Sequence, residues 1–140
     1  MSDISSDLAG HASSRMASVR FTLAMRVSAA IFAALAFGLL VAPRLVLALI
    51  GDADDPVIEI ALAHVGALFG GLAFLTWRMR MIVARRAQIA VAGGLAFTLA
   101  LFAAVGLMAV AKGLLPEILL VAVVIEAAWA VCLMLAVRSR

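Results

Sequence analysis

Four apolar runs, each long enough to cross a lipid bilayer, constrain this chain more than any other feature of its sequence. They cover about residues 21–42, 57–78, 87–111 and 118–137. A hydrocarbon core of roughly 30 Å needs about 20 apolar residues in a helix, and the backbone in lipid must satisfy its own polar groups. The composition agrees, because 67% of the residues are hydrophobic and 14% are charged, against about 25% charged in soluble domains. The sequence therefore predicts an all-α integral membrane protein, a four-helix transmembrane bundle.

The segments around the runs predict how the spans begin and end. Residues 1–19 are polar and serine-rich, and we expect a short, mobile cytoplasmic tail in which His11 is solvated. Pro43 disfavours helix at the residue before it, so the first span should kink or end there and residues 43–51 should form a bent or interfacial segment. The turn GDADDP follows, and Pro56 opens the second span.

Basic residues are distributed unequally between the two ends of the spans. One end has only Arg44 and Lys112, and the other has Arg15, Arg20, Arg78, Arg80, Arg85, Arg86, Arg138 and Arg140. The positive-inside rule then predicts that both termini are cytoplasmic. The preference for arginine over lysine suggests a bacterial source with a GC-rich genome, and hence the inner membrane. Because the basic residues cluster at helix ends, we interpret the formal charge of +3 as interfacial anchoring and not as nucleic-acid binding.

Small residues recur at the spacing of a helix-packing face in three of the spans. The faces comprise Ala30, Ala34 and Gly38 in the first span, Gly66 and Gly70 in the second, and Ala92, Ala96 and Ala100 in the third. Small residues let two helix backbones approach closely in a membrane. The pattern predicts packing faces, either within the chain or against partner subunits.

Four ionisable side chains lie within the spans, namely Arg26, Glu59, His64 and Glu126. Charges at bilayer depth cost at least a few kcal/mol unless they face protein or a wet cavity, so these residues are the functional candidates. At a rise of 1.5 Å per residue, His64 and Glu126 fall near the midplane, and His64 lies about 140° around the helix from Glu59. Arg26 either faces protein or extends its side chain to the interface.

Three roles for Glu126 and His64 remain open. Glu126 pairs with His64 or with Arg26 and fixes the helix register, or it is protonated and neutral inside the bundle. In the third alternative, His64 and Glu126 relay protons or bind a cation.

Sites for cofactors and catalysis are sparse in the sequence. His64 is a possible single axial ligand of a chlorin, with Leu68 and Gly71 on roughly the same face. A second haem ligand would have to be His11. HExxH, P-loop and GxSxG motifs are absent, and the lone Cys132 can form neither an internal disulfide nor a CxxC site. We expect no enzyme and no required cofactor, and we interpret Trp77 and Trp129 as packing or interfacial anchors.

The order of motifs resembles a known group of membrane proteins. A first span ending in VAPRLVLALIG, an Asp-Pro turn and then ALAHVGALFGGLAFLTWRMR is similar to small bacterial four-helix membrane proteins of the DoxX-like and related types. In such proteins the second helix often has an arginine followed shortly by Gly-Ala and a glycine-rich apolar stretch. His64 occupies the place of that arginine here, so no catalytic residue is carried across.

Three functions follow as hypotheses. The first is a non-catalytic inner-membrane subunit or accessory protein that packs against partner helices or against copies of itself. The second is a small proton- or cation-linked transporter that uses Glu126 and His64. The third is a pigment- or quinone-binding protein with His64 as ligand.

Overall fold

The chain is helical throughout most of its length. The computed structural model describes the backbone of residues 3–50 and 56–138 and the side chains of residues 18–48 and 58–138. The helices are α1 (Asp3–Val41), α2 (Pro43–Ile50), α3 (Pro56–Met79), α4 (Arg85–Ala111) and α5 (Leu120–Val137), with a 3₁₀ turn at Glu117–Leu119 before α5. Within the described ranges no strand is present.

Four segments are long and apolar enough to cross a membrane. They are Ser18–Val41, Ile58–Met79, Arg85–Ala111 and Glu117–Val137, with mean hydropathies of 1.8 to 2.7. Each begins and ends within three residues of the span predicted from the sequence. The prediction of an all-α, multi-pass membrane protein is confirmed at this level.

The C-terminal end of α1 is marked by a proline in the sequence, and its N-terminal end has no such marker. At its start, the helix begins at Asp3 and includes most of the segment for which we expected a tail. No proline interrupts residues 3–20, so nothing in the sequence forces the helix to begin later. At its end, α1 stops at Val41 and Pro43 opens α2, as the proline predicted. The acidic turn with Asp52, Asp54 and Asp55 lies outside the described residues.

The helices pack as two antiparallel hairpins joined through α1 and α5. Helix α3 packs against α1, α4 packs against α5, and α1 contacts α5 between them. The core at this junction includes Phe21 and Met25 of α1, Ala92 of α4 and Leu133 of α5. Burial is lowest in the second span, where 6% of the most apolar window is buried compared with 28% in the first. Helix α3 is therefore covered on one side only.

Aromatic rings connect three of the helices across this arrangement. Phe69 of α3 stacks on Phe32 of α1 with the ring centroids 5.9 Å apart, and it contacts Phe102 of α4 at 6.0 Å. Aromatic pairs at these separations each contribute about 0.5–1.5 kcal/mol beyond the area they bury. The contact between Phe69 and Phe102 thus joins α3 to a helix outside its own hairpin.

The arginines whose side chains are described, apart from Arg26 and Arg44, gather at one end of the bundle. The hydroxyl of Thr22 donates to the carbonyl oxygen of Arg80 at 3.4 Å, which places the start of the first span beside the end of α3. Arg85 donates to the carbonyl oxygen of Val137, which places the start of α4 beside the end of α5. We call this end the basic end; its members are Arg20, Arg78, Arg80, Arg85, Arg86 and Arg138.

Candidate functional site: polar groups within the spans

Glu59 forms an ion pair at the end of the bundle opposite the basic end. The Nε atom of Arg44 lies 3.4 Å from Oε2 of Glu59, and the two side chains are 82% and 34% exposed. Helix α2 makes this pair possible, because it carries Arg44 back alongside the first turns of α3. Exposed pairs of this kind contribute about 0–1 kcal/mol. Glu59 is thereby assigned to an interfacial contact and does not share a site with His64.

His64 faces outward from α3. Its ring is exposed, and Nδ1 donates to the carbonyl oxygen of Ile60 at 2.9 Å, one turn earlier in the same helix. Among the described residues, no group forms a hydrogen bond with its Nε2 atom. The imidazole is therefore hydrogen-bonded to its own helix through Nδ1, and Nε2 faces away from α3.

Arg26 lies close to the basic end and not deep in the bundle. It is one turn beyond Thr22, so it sits ~6 Å below the carbonyl oxygen of Arg80 along the bundle axis. Its side chain is exposed and lines a shallow cavity of about 260 Å³ together with Ser18 and Thr22, which are nearer the basic end. Arg26 therefore lies on the surface of α1 and forms no ion pair among the described residues.

Glu126 is half-buried on α5 and is paired with neither predicted partner. Where side chains are described, the structure contains no ion pair or hydrogen bond from Glu126 to Arg26 or to His64. The single ion pair of that part of the chain is the one between Arg44 and Glu59. The pairing that would fix the helix register is not formed.

The helix registers explain why Glu126 and His64 do not meet. Gly66 packs against Leu39, so His64 is level with about residue 41 of α1. Trp129 bonds Ser28, so Glu126 is level with about residue 31 of α1. At 1.5 Å per residue the two groups are ~15 Å apart along the axis, too far for direct proton transfer.

A hydrogen bond between α1 and α5 is the polar contact in the bundle interior that the sequence analysis missed. The indole nitrogen Nε1 of Trp129 donates to Oγ of Ser28 at 2.9 Å, and Ser28 is 1% exposed. A buried tryptophan N–H usually finds an acceptor, so a tryptophan in the middle of a span was the available signal. The sequence did not indicate which hydroxyl on which helix would accept.

Gln88 and Arg85 bind the backbone at the basic end, and neither was singled out as a polar candidate. Gln88 is 2% exposed, and its Nε2 donates to the carbonyl oxygen of Ile82 at 2.8 Å, which fixes the loop between α3 and α4. Arg85 binds Val137, as described above, and its other terminal nitrogen, Nη1, is buried without a partner in the described chain.

The predicted small-residue faces divide into an internal and an external set. The internal set contacts neighbouring helices or is buried, and it comprises Gly66, Gly70, Ala92 and Ala96. The external set comprises Ala30, Ala34 and Ala100, which are exposed, and Gly38, where an added Cβ would meet nothing within 4 Å. Four of these eight small residues thus pack within the chain, and the other four lie on its surface.

The described residues contain no group of three or more His, Cys, Asp or Glu side chains that could hold a metal ion. His64, the predicted single axial ligand, therefore belongs to no such group, and His11 lies outside the described side chains. Cys132 is a free, exposed thiol on α5.

Comparison with known proteins gives no match. No family model, no curated protein and no solved structure matches this chain. The resemblance to DoxX-like membrane proteins stays a prediction.

Proposed function

We propose that this protein is a non-catalytic subunit or accessory component of a membrane assembly, and that it packs the outer faces of α1 and α3 against a partner helix. The partner is another membrane protein or a second copy of this chain. We place the protein in a bacterial inner membrane with both termini in the cytoplasm. The gathering of six arginines at one end of the bundle supports this orientation.

The observation that carries the proposal is the outward position of His64. His64 is level with the last residue of α1, about 8 Å along α3 from Glu59, and so lies toward the end of its span opposite the basic end. An ionisable side chain within a span normally faces protein or a water-filled cavity, because exposure to hydrocarbon is unfavourable. Here the ring is exposed, and its Nε2 has no partner in the described chain. A neighbouring helix that offers a polar group to Nε2 removes this cost.

The surface around His64 has the shape that such a contact needs. Gly71 lies seven residues on, about 20° around the helix, and an added Cβ there would meet nothing within 4 Å. The external small residues of α1, Ala30 and Ala34, offer a second place where a backbone can approach closely. Both features lie on exposed faces of α1 and α3, which remain free for a partner.

Mass measurement after purification in a gentle detergent tests the proposal. When the protein is expressed at its native abundance, the mass of the purified particle should exceed that of one 14.6 kDa chain with its bound detergent. Gly71→Leu and His64→Leu should each release the monomer, since the first blocks close approach and the second removes the polar contact. Gly94→Leu is the matched control, because Gly94 is an exposed glycine of α4 whose added Cβ would also meet nothing within 4 Å.

Two results would contradict this function. The first is a stable lone monomer from cells that express the protein at its natural level. The second is equal dissociation by Gly71→Leu and Gly94→Leu, which would mean that bulk anywhere on the surface breaks the assembly. Reporter fusions at both termini test the orientation separately: a fluorescent protein should mature at each terminus, and an exported phosphatase should be inactive at each.

A further inference from the structure

A groove opens on the surface of the hairpin formed by α4 and α5, and Arg138 lies at one end of it. It has a volume of about 830 Å³, and its lining includes Gly93 and Ala96 of α4 and Ala130, Met134 and Arg138 of α5. From Arg138 back to Ala130 it follows α5 for ~12 Å, most of the roughly 15 Å depth of one leaflet's hydrocarbon. The lining combines small residues with larger apolar side chains such as Phe97 and Leu135, and it is apolar except at the end with Arg138.

The polar end of the groove is positively charged. Arg138 lines it directly, and Arg85 donates to the carbonyl oxygen of Val137, another lining residue. Helix α4 begins at the same end of the bundle, ~12 Å along the helix from Gly93, and its N-cap, Ala84, has no side chain that caps the first turn. The guanidinium groups and the helix dipole favour an anion at this end of the bundle.

No acidic side chain that the structure describes offsets this end. The acidic residues of residues 18–48 and 58–138 are Glu59, Glu117 and Glu126, and they lie at the opposite end or in the middle of the bundle. A zwitterionic headgroup would bring an ammonium group for which no described side chain at this end offers a carboxylate. An anionic headgroup would bring only the phosphate that the arginines and the helix terminus favour.

We propose that the α4–α5 groove is a binding site for one anionic phospholipid of the leaflet at the basic end. An acyl chain lies along Gly93, Ala96 and Ala130, and the phosphate is held by Arg138 at the end of the groove. The groove supplies the shape for the chain, and the cationic end supplies the preference for headgroup charge.

Native mass spectrometry of the full chain in detergent tests the site with two probes that differ only in the headgroup, dioleoylphosphatidylglycerol and dioleoylphosphatidylcholine. The anionic lipid should bind more tightly. Arg138→Gln should weaken it by about fivefold, because one arginine near a membrane surface contributes about 1 kcal/mol to attraction of anionic lipid. Arg20→Gln is the matched control, since Arg20 is at the same end on α1 and does not line the groove.

The groove itself is tested by filling it. An added Cβ at Gly93 or at Gly94 would meet nothing within 4 Å, but only Gly93 lines the groove. Gly93→Leu should therefore lower retention of the anionic lipid several-fold, and Gly94→Leu should leave it unchanged. Soluble glycerol phosphate should not compete, because it has no chain to place in the groove.

Several outcomes would overturn the site. Equal retention of the two lipids would mean that only the acyl chain is recognised, and equal effects of Arg138→Gln and Arg20→Gln would mean diffuse attraction without a site. If Gly93→Leu dissociates a dimer and leaves lipid retention unchanged, the groove holds a second copy of the chain. If Gly93→Leu does not fold, the paired arginine variants still decide the question.

Discussion

Replacing Gly66 with alanine should force α1 and α3 apart. A Cβ added at this position would lie 2.9 Å from Cβ of Leu39, 3.0 Å from Cγ of Leu40 and 3.4 Å from the carbonyl oxygen of Ala36. The first and last of these atoms belong to the backbone or are attached directly to it, so a side-chain rotation cannot relieve the contact. The helices themselves must move.

The size of the effect follows from two opposing contributions. Overpacking a close contact costs about 1–3 kcal/mol. Alanine in place of glycine favours a helix interior by about 1 kcal/mol, which partly offsets that cost. Gly66→Ala should therefore lower the free energy of unfolding by about 0–2 kcal/mol.

Gly71→Ala isolates the packing contribution. It lies on the same helix, and within a single chain its added Cβ would meet nothing within 4 Å, so in the monomeric protein only the gain in helix propensity remains. The two variants should therefore differ by about 1–3 kcal/mol in the free energy of unfolding, and this difference does not depend on the helix-propensity scale. Gly106→Ala should fall between them, because its added Cβ would lie 2.9 Å from Cγ2 of Val123, an atom at the tip of a side chain that can yield in part.

The assay is unfolding of the purified protein in mixed micelles with increasing sodium dodecyl sulfate, followed by far-ultraviolet circular dichroism. The free energies should rank Gly71→Ala as most stable, then Gly106→Ala, then Gly66→Ala. Equal stability of the Gly66 and Gly71 variants would refute the reasoning, because it would mean that α1 and α3 do not approach closely at Gly66.

Three further predictions use the same assay. A double-mutant cycle of Ser28→Ala and Trp129→Phe should give a coupling of about 0.6–1.7 kcal/mol, the range for hydrogen bonds between membrane helices; a value below about 0.3 kcal/mol would be within the error of additivity and would argue against the bond. Gln88→Ala should destabilise by about 1–3 kcal/mol, because it leaves a loop carbonyl without its buried donor, and an unchanged free energy of unfolding would contradict that role. Arg44→Ala should cost less than about 1 kcal/mol, and less again in high salt, since its pair with Glu59 is exposed; a larger cost would indicate that α2 depends on that pair.

The sequence predicted the spans well because the bilayer imposes their length and apolar character locally. Pro43 marked the break between α1 and α2, since a proline restricts the residue before it and cannot donate a backbone hydrogen bond. Both features act within a few residues of the chain, so they can be predicted from consecutive residues alone. The N-terminal limit of α1 lacked any such marker, and the helix begins at Asp3, within the segment for which a tail was predicted.

The contacts and registers between helices could not be predicted in the same way. Ala92 and Ala34 occupy equivalent places in equally regular patterns, yet the first is buried and the second is exposed. A small residue permits close approach but does not specify the helix that approaches. The predicted pairing of Glu126 failed for a related reason, because the depth of each residue was estimated from its own helix and the registers between helices were not known.

The bond between Ser28 and Trp129 also bears on how the protein is made. Its two residues are 101 positions apart, and α1 is the helix that joins the hairpins. During synthesis, α1 and α3 can associate early, but Ser28 meets its partner only after the last transmembrane segment has left the ribosome and entered the bilayer. Until then the first hairpin must persist in lipid as a separate unit, and a chain truncated after α4 would never progress beyond that stage.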